Sequence, residues 1–555
     1  MGAGWAWVVM AALAASPGPK VVSPLVKVRP GVTLKGSTEA QLSLARGECE
    51  GTQVVLPGNV RQVTAKPLTL KGPGSALSAS LWREGFIEVK TPSNSMGAKG
   101  FWPDPLLPVN VPGDPKLPAV LYVEVCAPTE QKPGTYRGEL SVKADDGAVA
   151  PVPFTVEVQP FALPATSSLP TSFGISLYSI ARGHKLAPES PEAMTLLRAY
   201  GKALLQHRLS AYGMSMNAPP VRFEDGRAVV DFSAYDEEMA PFFEGTALPS
   251  GARFTTADVR DSSQCKTEQE KVAYYRAFAE HFRSKGWSAQ LFFYAKDEPK
   301  PEEMALVRTQ ASRVKAAGKD IPVLVTSALH DGIQSSADIL APTLNCFFPR
   351  WELETCPNVV PLSKLRSKLR SGTRVWWYQS CNSHGCTGGP AEDPAVERAY
   401  TGWASYMVDH PAPLNRSMGP LAFLTGVDGE LYFDTVYAYN TQDPWQGVFE
   451  FGGNGDGTLF YPGTPERLGT KEPQPVVSLR LKHIRDGLED YEYLHLLARL
   501  GDAEPARAFA RRLARSGYEI EQNVATWEQV RHNLTAQLRK RWDASEYAKR
   551  PGVRR

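Results

Sequence analysis

Asp297 and Glu298 close the run "FFYAKDEP", in which an apolar, aromatic segment ends in two adjacent carboxylates and is broken at once by Pro299. Paired carboxylates suit acid/base work, one orienting or stabilising a reacting group while the other moves a proton. In an ordinary retaining or inverting glycosidase the two acids flank the scissile bond, roughly 5–9 Å apart, and usually come from different strands. Adjacent acids fit a different scheme, in which the sugar's own 2-acetamido oxygen attacks the anomeric carbon. Asp then orients the amide and stabilises its growing positive charge, and Glu protonates the departing oxygen before activating water. Asp, Glu and Pro are equally at home at a helix N-terminus, where acids cap free N–H groups and Pro fits the first turn. Taken alone, the pair supports both readings evenly.

What surrounds the pair is a series of strand-like runs. They cover residues 172–178, 209–215, 252–258, 289–295, 322–327, 337–342, 374–380 and 429–435. Helical patterns lie between several of them, as in "TEQEKVAYYRAFAEHFRSKG", "PEEMALVRTQASRVKAAG" and "AVERAYTGWASYMVDH". Alternating β and α units in this number predict a (β/α)₈ TIM-like barrel over residues 170–476. Asp297 and Glu298 then follow the fourth strand, at the C-terminal end where such barrels carry their sites. Tyr294 is expected to pack in the barrel or to touch substrate.

Residues 20–165 show no helical period. Short apolar runs such as "TQVVL", "AVLYVEV" and "PFTVEVQ" alternate with Gly/Pro turns, which predicts an antiparallel β-sandwich. The prolines of "QPFALPATSSLPTSFG" mark a linker. Residues 477–550 read as a helical extension packed on the barrel. In "LKHIRDGLEDYEYLHLLARL" Ile484, Leu488, Tyr491, Leu494 and Ala498 share one face, and the charged residues are expected to solvate the other.

The formal net charge of +2 gives no electrostatic case for a nucleic acid or an anionic membrane partner. Twelve Trp and twenty Tyr offer flat apolar faces with polar edges, suited to sugars as well as to cores. At the N-terminus, Trp5 to Ala15 is too short an apolar run to span a bilayer. With "ALA" and "PGP" behind it, the run resembles a signal peptide over residues 1–15, although no Lys or Arg precedes it. The expectation is a secreted or periplasmic protein with no membrane insertion.

Seven cysteines leave at least one unpaired. Cys381-x-x-His384-x-Cys386 has the look of a metal cluster but lacks the second ligand pair of a zinc site, so a loop disulfide or free thiols is the expectation. No metal and no cofactor is expected.

Four segments resemble glycoside hydrolase family 123. "ARGECEGTQVVL" resembles the entry to the family's β-sandwich, and "FFYAKDEP" its catalytic strand end. "RVWWYQSC" resembles a strand carrying site aromatics. "GDGTLFYPG" followed by "VVSLRLKHIRDGLEDYEYLHLL" resembles the end of the catalytic domain. The resemblance implies an exo-acting β-N-acetylhexosaminidase with GalNAc favoured, Asp297 orienting the amide and Glu298 as general acid/base. It implies that Tyr378 hydrogen-bonds the acetamido group and that Trp376 or Trp377 lines the pocket. Strand alternation lets only one of those two face inward, leaving the other to pack on the helix ring. The family's eighth strand often carries Tyr-Trp where this chain reads Tyr432-Phe433-Asp434. Tyr432 remains a substrate-binding candidate, and Asp434 binds a sugar hydroxyl or is a solvated loop acid. His184, after the first strand, is a candidate contact or a solvated loop histidine, and Asn440 and Trp445 are candidates to close the pocket from the last loop. A catalytically silent glycan-binding protein, or a glycosidase of sugars without an acetamido group, are the alternatives.

Overall fold

The computed structural model describes residues 18–545 except 146, 215–217, 288 and 351–352. The N-terminal apolar run therefore lies outside the described residues.

Residues 20–162 form β-sheets. A six-stranded sheet carries Glu48–Val55, Val120–Ala127 and Leu77–Val89 at its centre, all antiparallel. A three-stranded sheet of Ala40–Arg46, Val152–Ala162 and Gly134–Leu140 faces it across a shared core of Val54, Leu121, Val123, Phe154, Val156 and Tyr136. One pair departs from the antiparallel expectation: Val152–Ala162 runs parallel to Ala40–Arg46. Cys49 and Cys126 sit directly opposite on neighbouring strands and form a disulfide.

Eight parallel strands follow: β1 (Thr171–Gly174), β2 (Ala211–Tyr212), β3 (Thr256–Asp258), β4 (Gln290–Asp297), β5 (Val323–Thr326), β6 (Ile339–Leu340), β7 (Arg374–Tyr378) and β8 (Gly429–Tyr432). Their order is β2-β1-β8-β7-β6-β5-β4-β3, so β1 lies beside β8 as barrel closure requires. Between β2 and β3 no ladder forms among the described residues. Side chains span the gap instead, with Ser210 Oγ 2.8 Å from Thr255 Oγ1 and the Gly213 N–H 3.2 Å from Asp258 Oδ1. The barrel is therefore nearly closed. Each strand overlaps a predicted run, with β1 starting one residue before its run and β4 ending two residues beyond its own, but β2 and β6 are much shorter than their patterns suggested.

Alternation along the strands builds two layers. Phe292, Leu324, Ile339, Trp376 and Leu431 fill the barrel interior. Phe293, Val323, Val325, Val375, Trp377 and Tyr432 pack outward. Helix α1 (Glu268–Lys285) lies in the outer layer; it starts with a reciprocal Thr267/Glu270 capping box and stops at Gly286 in the left-handed conformation. Helix α2 (Met304–Ala317) follows β4 through a short 3₁₀ turn at Pro301–Glu303. The helix predicted over "AVERAYTGWASYMVDH" is cut short at Pro394–Tyr400. Gly402 takes a φ of +83° against the Tyr518 carbonyl, and the chain beyond runs irregularly through the interior, burying Trp403, Tyr406 and Met407.

Helix α3 (Leu479–Arg499) corrects a second expectation. Its apolar residues Ile484, Leu488 and Leu494 are buried, but its charged face is buried as well. Arg480 pairs with Asp104 at 2.8 Å and Lys482 with Glu124 at 3.0 Å, both acids belonging to the N-terminal sheet. Arg485 also reaches Glu124, and Asp490 pairs with Arg416 at 2.6 Å and with Arg531 at 2.8 Å. The charges face other elements rather than water. Buried pairs recover little net energy after desolvation, but a misplaced partner is costly, so this face fixes how the sheet, barrel and C-terminal helices dock.

Candidate active site

Asp297 is the last residue of β4, and the strand is irregular just before it. Tyr294 pairs with Leu324 on β5 and Asp297 with Thr326. Three residues advance on β4 while two advance on β5, so β4 carries one extra residue near Ala295. In a regular strand residues three apart point to opposite faces. The bulge cancels that inversion and brings Tyr294 and Asp297 to the same inner face. The Tyr294 hydroxyl donates to Asp297 Oδ1 at 2.7 Å, and the Thr326 hydroxyl donates to the same oxygen at 2.8 Å.

Glu298 continues the chain with φ of +40°, in the left-handed region that non-glycine residues rarely occupy. Strain of this kind persists where surrounding contacts over-determine it. Here the Glu298 N–H donates to Thr326 Oγ1 at 3.0 Å, and the Tyr378 hydroxyl, from β7, donates to Glu298 Oε1. Both carboxylates are exposed at the mouth. Burial pushes the Tyr294 and Tyr378 hydroxyls well above the usual phenol range, with the neighbouring acids adding to the effect. Both therefore remain protonated donors to the acids. Tyr212 stands beside them, edge-on to Tyr294 at 6.4 Å, and donates to the Phe433 carbonyl at 2.7 Å.

The other candidates divide. Tyr378 and Trp376 face the barrel interior, with Trp376 fully buried against Phe292 below the mouth, while Trp377 packs outward on Phe347. Asp434 is half-buried and accepts from the Val436 N–H at 2.8 Å; burial raises its carboxyl to about 7. Tyr432 does not reach the mouth. It points outward into the core and donates to Asp456 at 3.0 Å, because alternation on β8 turns Leu431 inward. His184 is neither a solvated loop residue nor near the acids. It is buried, bonded through Nε2 to the Tyr200 hydroxyl at 2.8 Å, and lowered by burial to about 4. Asn440 donates to Ser179 Oγ at 2.8 Å. Trp445 is fixed by Pro462 O at 3.0 Å and covered by Arg467. Trp445 and His184 line a cleft of about 1080 Å³ that also takes in Arg83–Phe86 of the N-terminal sheet and does not include Asp297 or Glu298.

Cys381 and Cys386 form a disulfide in the loop after β7, and His384 between them is buried on Trp403 at 5.2 Å, its ring lowered to about 3 by burial. Cys346 pairs with Cys356, and Cys265 is free and buried. Thr326, which binds both acids' residues, and Tyr212 were not singled out by the sequence. "PVLVTS" reads as any buried strand, and the bulge that brings Thr326 into play leaves no composition signal.

Residues 262–497 match the family described as "Glycoside hydrolase 123, catalytic domain". The matched span holds β4 through β8 and nearly all of α3. A solved family 123 glycoside hydrolase from Clostridium perfringens is similar in fold, with a TM-score of 0.63 and 13% identity over 95% of this chain and 98% of that one. A family 39 glycoside hydrolase from Bacteroides cellulosilyticus aligns with a TM-score of 0.32 and 11% identity over 82% of each chain. No curated protein sequence matches this chain.

Proposed function

We propose that this chain, which belongs to glycoside hydrolase family 123, is an exported β-N-acetylhexosaminidase, favouring GalNAc, that works by substrate assistance through the 2-acetamido group. The observation that carries this reading is the adjacency of Asp297 and Glu298, each held by its own tyrosine on the inner face of the mouth. Adjacent acids suit two tasks of a single step, Asp on the amide whose oxygen attacks the anomeric carbon and Glu on the oxygen that leaves from the opposite face. Asp297, fixed by Tyr294 and Thr326, would orient the acetamido N–H and stabilise the cyclic intermediate. Glu298 would donate a proton to the leaving oxygen and then take one from water. Tyr378, bonded to Glu298, would also hydrogen-bond the acetamido group. The solved Clostridium perfringens relative is described in connection with glycolipid glycan hydrolysis, a substrate class that fits this chemistry. Three disulfides support export to an oxidising compartment.

A panel of nitrophenyl glycosides tests the reading. Cleavage confined to 2-acetamido sugars, with GalNAc ahead of GlcNAc, is the expected result. Cleavage of plain galactosides or glucosides would move the protein to a two-carboxylate mechanism without substrate assistance.

A further inference from the structure

The two-residue hairpin turn at Phe451-Gly452 breaks a local rule. It joins Phe449–Glu450 to Gly453–Asn454, and both turn residues have positive φ, +51° and +82°. Such turns favour Asn-Gly or Asp-Gly, since a bulky side chain rarely adopts that conformation. Here the position holds a phenylalanine that is 41% exposed. An aromatic ring kept in solvent at the cost of turn geometry points to a surface role.

The hairpin is seated, not loose. The Gly388 N–H, from the disulfide-bridged loop after β7, donates to the Gly452 carbonyl at 3.1 Å, and the Asn454 N–H donates to Ser93 Oγ at 2.9 Å. Phe451 lies edge-on to Phe433 at 5.6 Å and 4.9 Å from Tyr437. Phe433 in turn rests where Gly457 leaves no room for a side chain. Phe433 directly follows β8, and its carbonyl takes the Tyr212 hydroxyl beside Tyr294 and Asp297. A continuous series of contacts thus leads from Asp297 to the exposed ring.

We propose that Phe451, backed by Phe433 and Tyr437, is a platform on the rim of the barrel mouth that stacks the sugar unit on the leaving-group side of the cleaved bond. This rests on the glycosidase reading above. An aromatic face offers the flat apolar surface that the C–H face of a pyranose matches. The position selects the leaving-group unit. The aromatics directly under the acids, Trp376 and Tyr378, are buried in the interior, whereas the Phe451 ring is half in solvent and suits a unit that itself stays partly solvated.

Phe451→Asn is the decisive variant, because asparagine suits the turn and the protein should fold with an equal or higher melting temperature. On an oligosaccharide ending in β-linked N-acetylgalactosamine, kcat/KM should fall about 10-fold, mostly through KM. On methyl β-N-acetylgalactosaminide it should stay within about 2-fold, and Phe451→Tyr and Phe451→Trp should restore the oligosaccharide. Equal losses on both substrates, or no loss on the oligosaccharide, would overturn the platform. If another sugar is cleaved, the same pair of substrates built on that sugar gives the answer. If nothing is cleaved, calorimetric binding of the N-acetylgalactosamine-terminated oligosaccharide does, and no binding, or binding untouched by Phe451→Asn, rejects the proposal.

Discussion

The Tyr378 hydroxyl on β7 donates to Glu298 at the end of β4, reaching past β5 and β6 to hold the acid beside Asp297. Tyr378→Phe keeps the ring in the barrel interior and removes the hydroxyl that holds Glu298, together with any bond it makes to substrate. A hydrogen bond to a charged group contributes about 1.5–3 kcal/mol, so kcat/KM on a disaccharide should fall roughly 10- to 100-fold with little change in thermal unfolding. Full activity in the variant would mean that Glu298 needs no support from β7.

The barrel was largely legible because alternation and helix signals agree locally, as at Thr267, Glu270 and Gly286 around α1. The acid pair was legible from its place at a strand end. Three features were not. The bulge near Ala295 depends on how β4 pairs with β5, and a single-strand pattern contains no information about its neighbour. The buried charges of α3 look like a solvated face because periodicity reports polarity, not whether a facing element supplies the counter-charge; Asp104 and Glu124 lie more than 350 residues away in sequence. In sequence, His184 points toward the mouth by its place after the first strand and Tyr432 by its place in the eighth, yet each has a core partner, Tyr200 and Asp456, that only the folded chain brings near.

Glu430 should make stability depend on pH. It is buried within β8, accepts from the Tyr406 hydroxyl, and burial raises its carboxyl from 4.5 to about 7. A raised carboxyl favours the folded state while the group is protonated. That contribution is complete below the unfolded value of 4.5, is lost as pH rises toward about 7, and changes no further above it. Glu430→Gln keeps an acceptor for Tyr406 and cannot ionise. Relative to wild type it should gain on the order of 3 kcal/mol between pH 4.5 and 8. Urea unfolding of both proteins at several pH values measures this, and parallel curves would remove Glu430 as the source.

Arg480 should be intolerant of removal while its pair is replaceable. It binds Asp104 and the carbonyls of Tyr406 and Gly455 with no exposure of the side chain. Arg480→Ala leaves the buried Asp104 without its guanidinium, the Tyr461 hydroxyl being its one remaining side-chain hydrogen-bond donor among the described residues, a loss of about 3–5 kcal/mol. Asp104→Leu combined with Arg480→Met removes both charges and should recover much of that loss. Chemical denaturation of the single and double variants decides it. A double variant as unstable as Arg480→Ala would show that the pair itself, and not the orphaned charge, holds the sheet to the barrel.

The two acids should separate by leaving group. Glu298 matters in proportion to the leaving group's need for a proton, which is high for a sugar and low for nitrophenolate. Glu298→Ala should therefore lose roughly 10²–10⁴-fold on a natural glycan and clearly less on a nitrophenyl glycoside in the bond-breaking step. Asp297 assists the attacking amide, whose oxygen bonds to the anomeric carbon as the bond to the leaving oxygen breaks, and every leaving group needs that attack, so Asp297→Ala should be severely impaired on both. A thiazoline analogue of the acetamido sugar, a mimic of the cyclic intermediate, should bind wild type more tightly than N-acetylgalactosamine does, and most of that advantage should vanish in Asp297→Ala. Thermal unfolding must accompany these measurements, because Thr326 and Tyr294 both use Asp297 as their acceptor. Pre-steady-state rates across a series of leaving groups isolate the first step. Equal losses for Glu298→Ala on every leaving group would take it out of the acid role. Near-normal activity in Asp297→Ala would leave that residue as no more than the end of a strand.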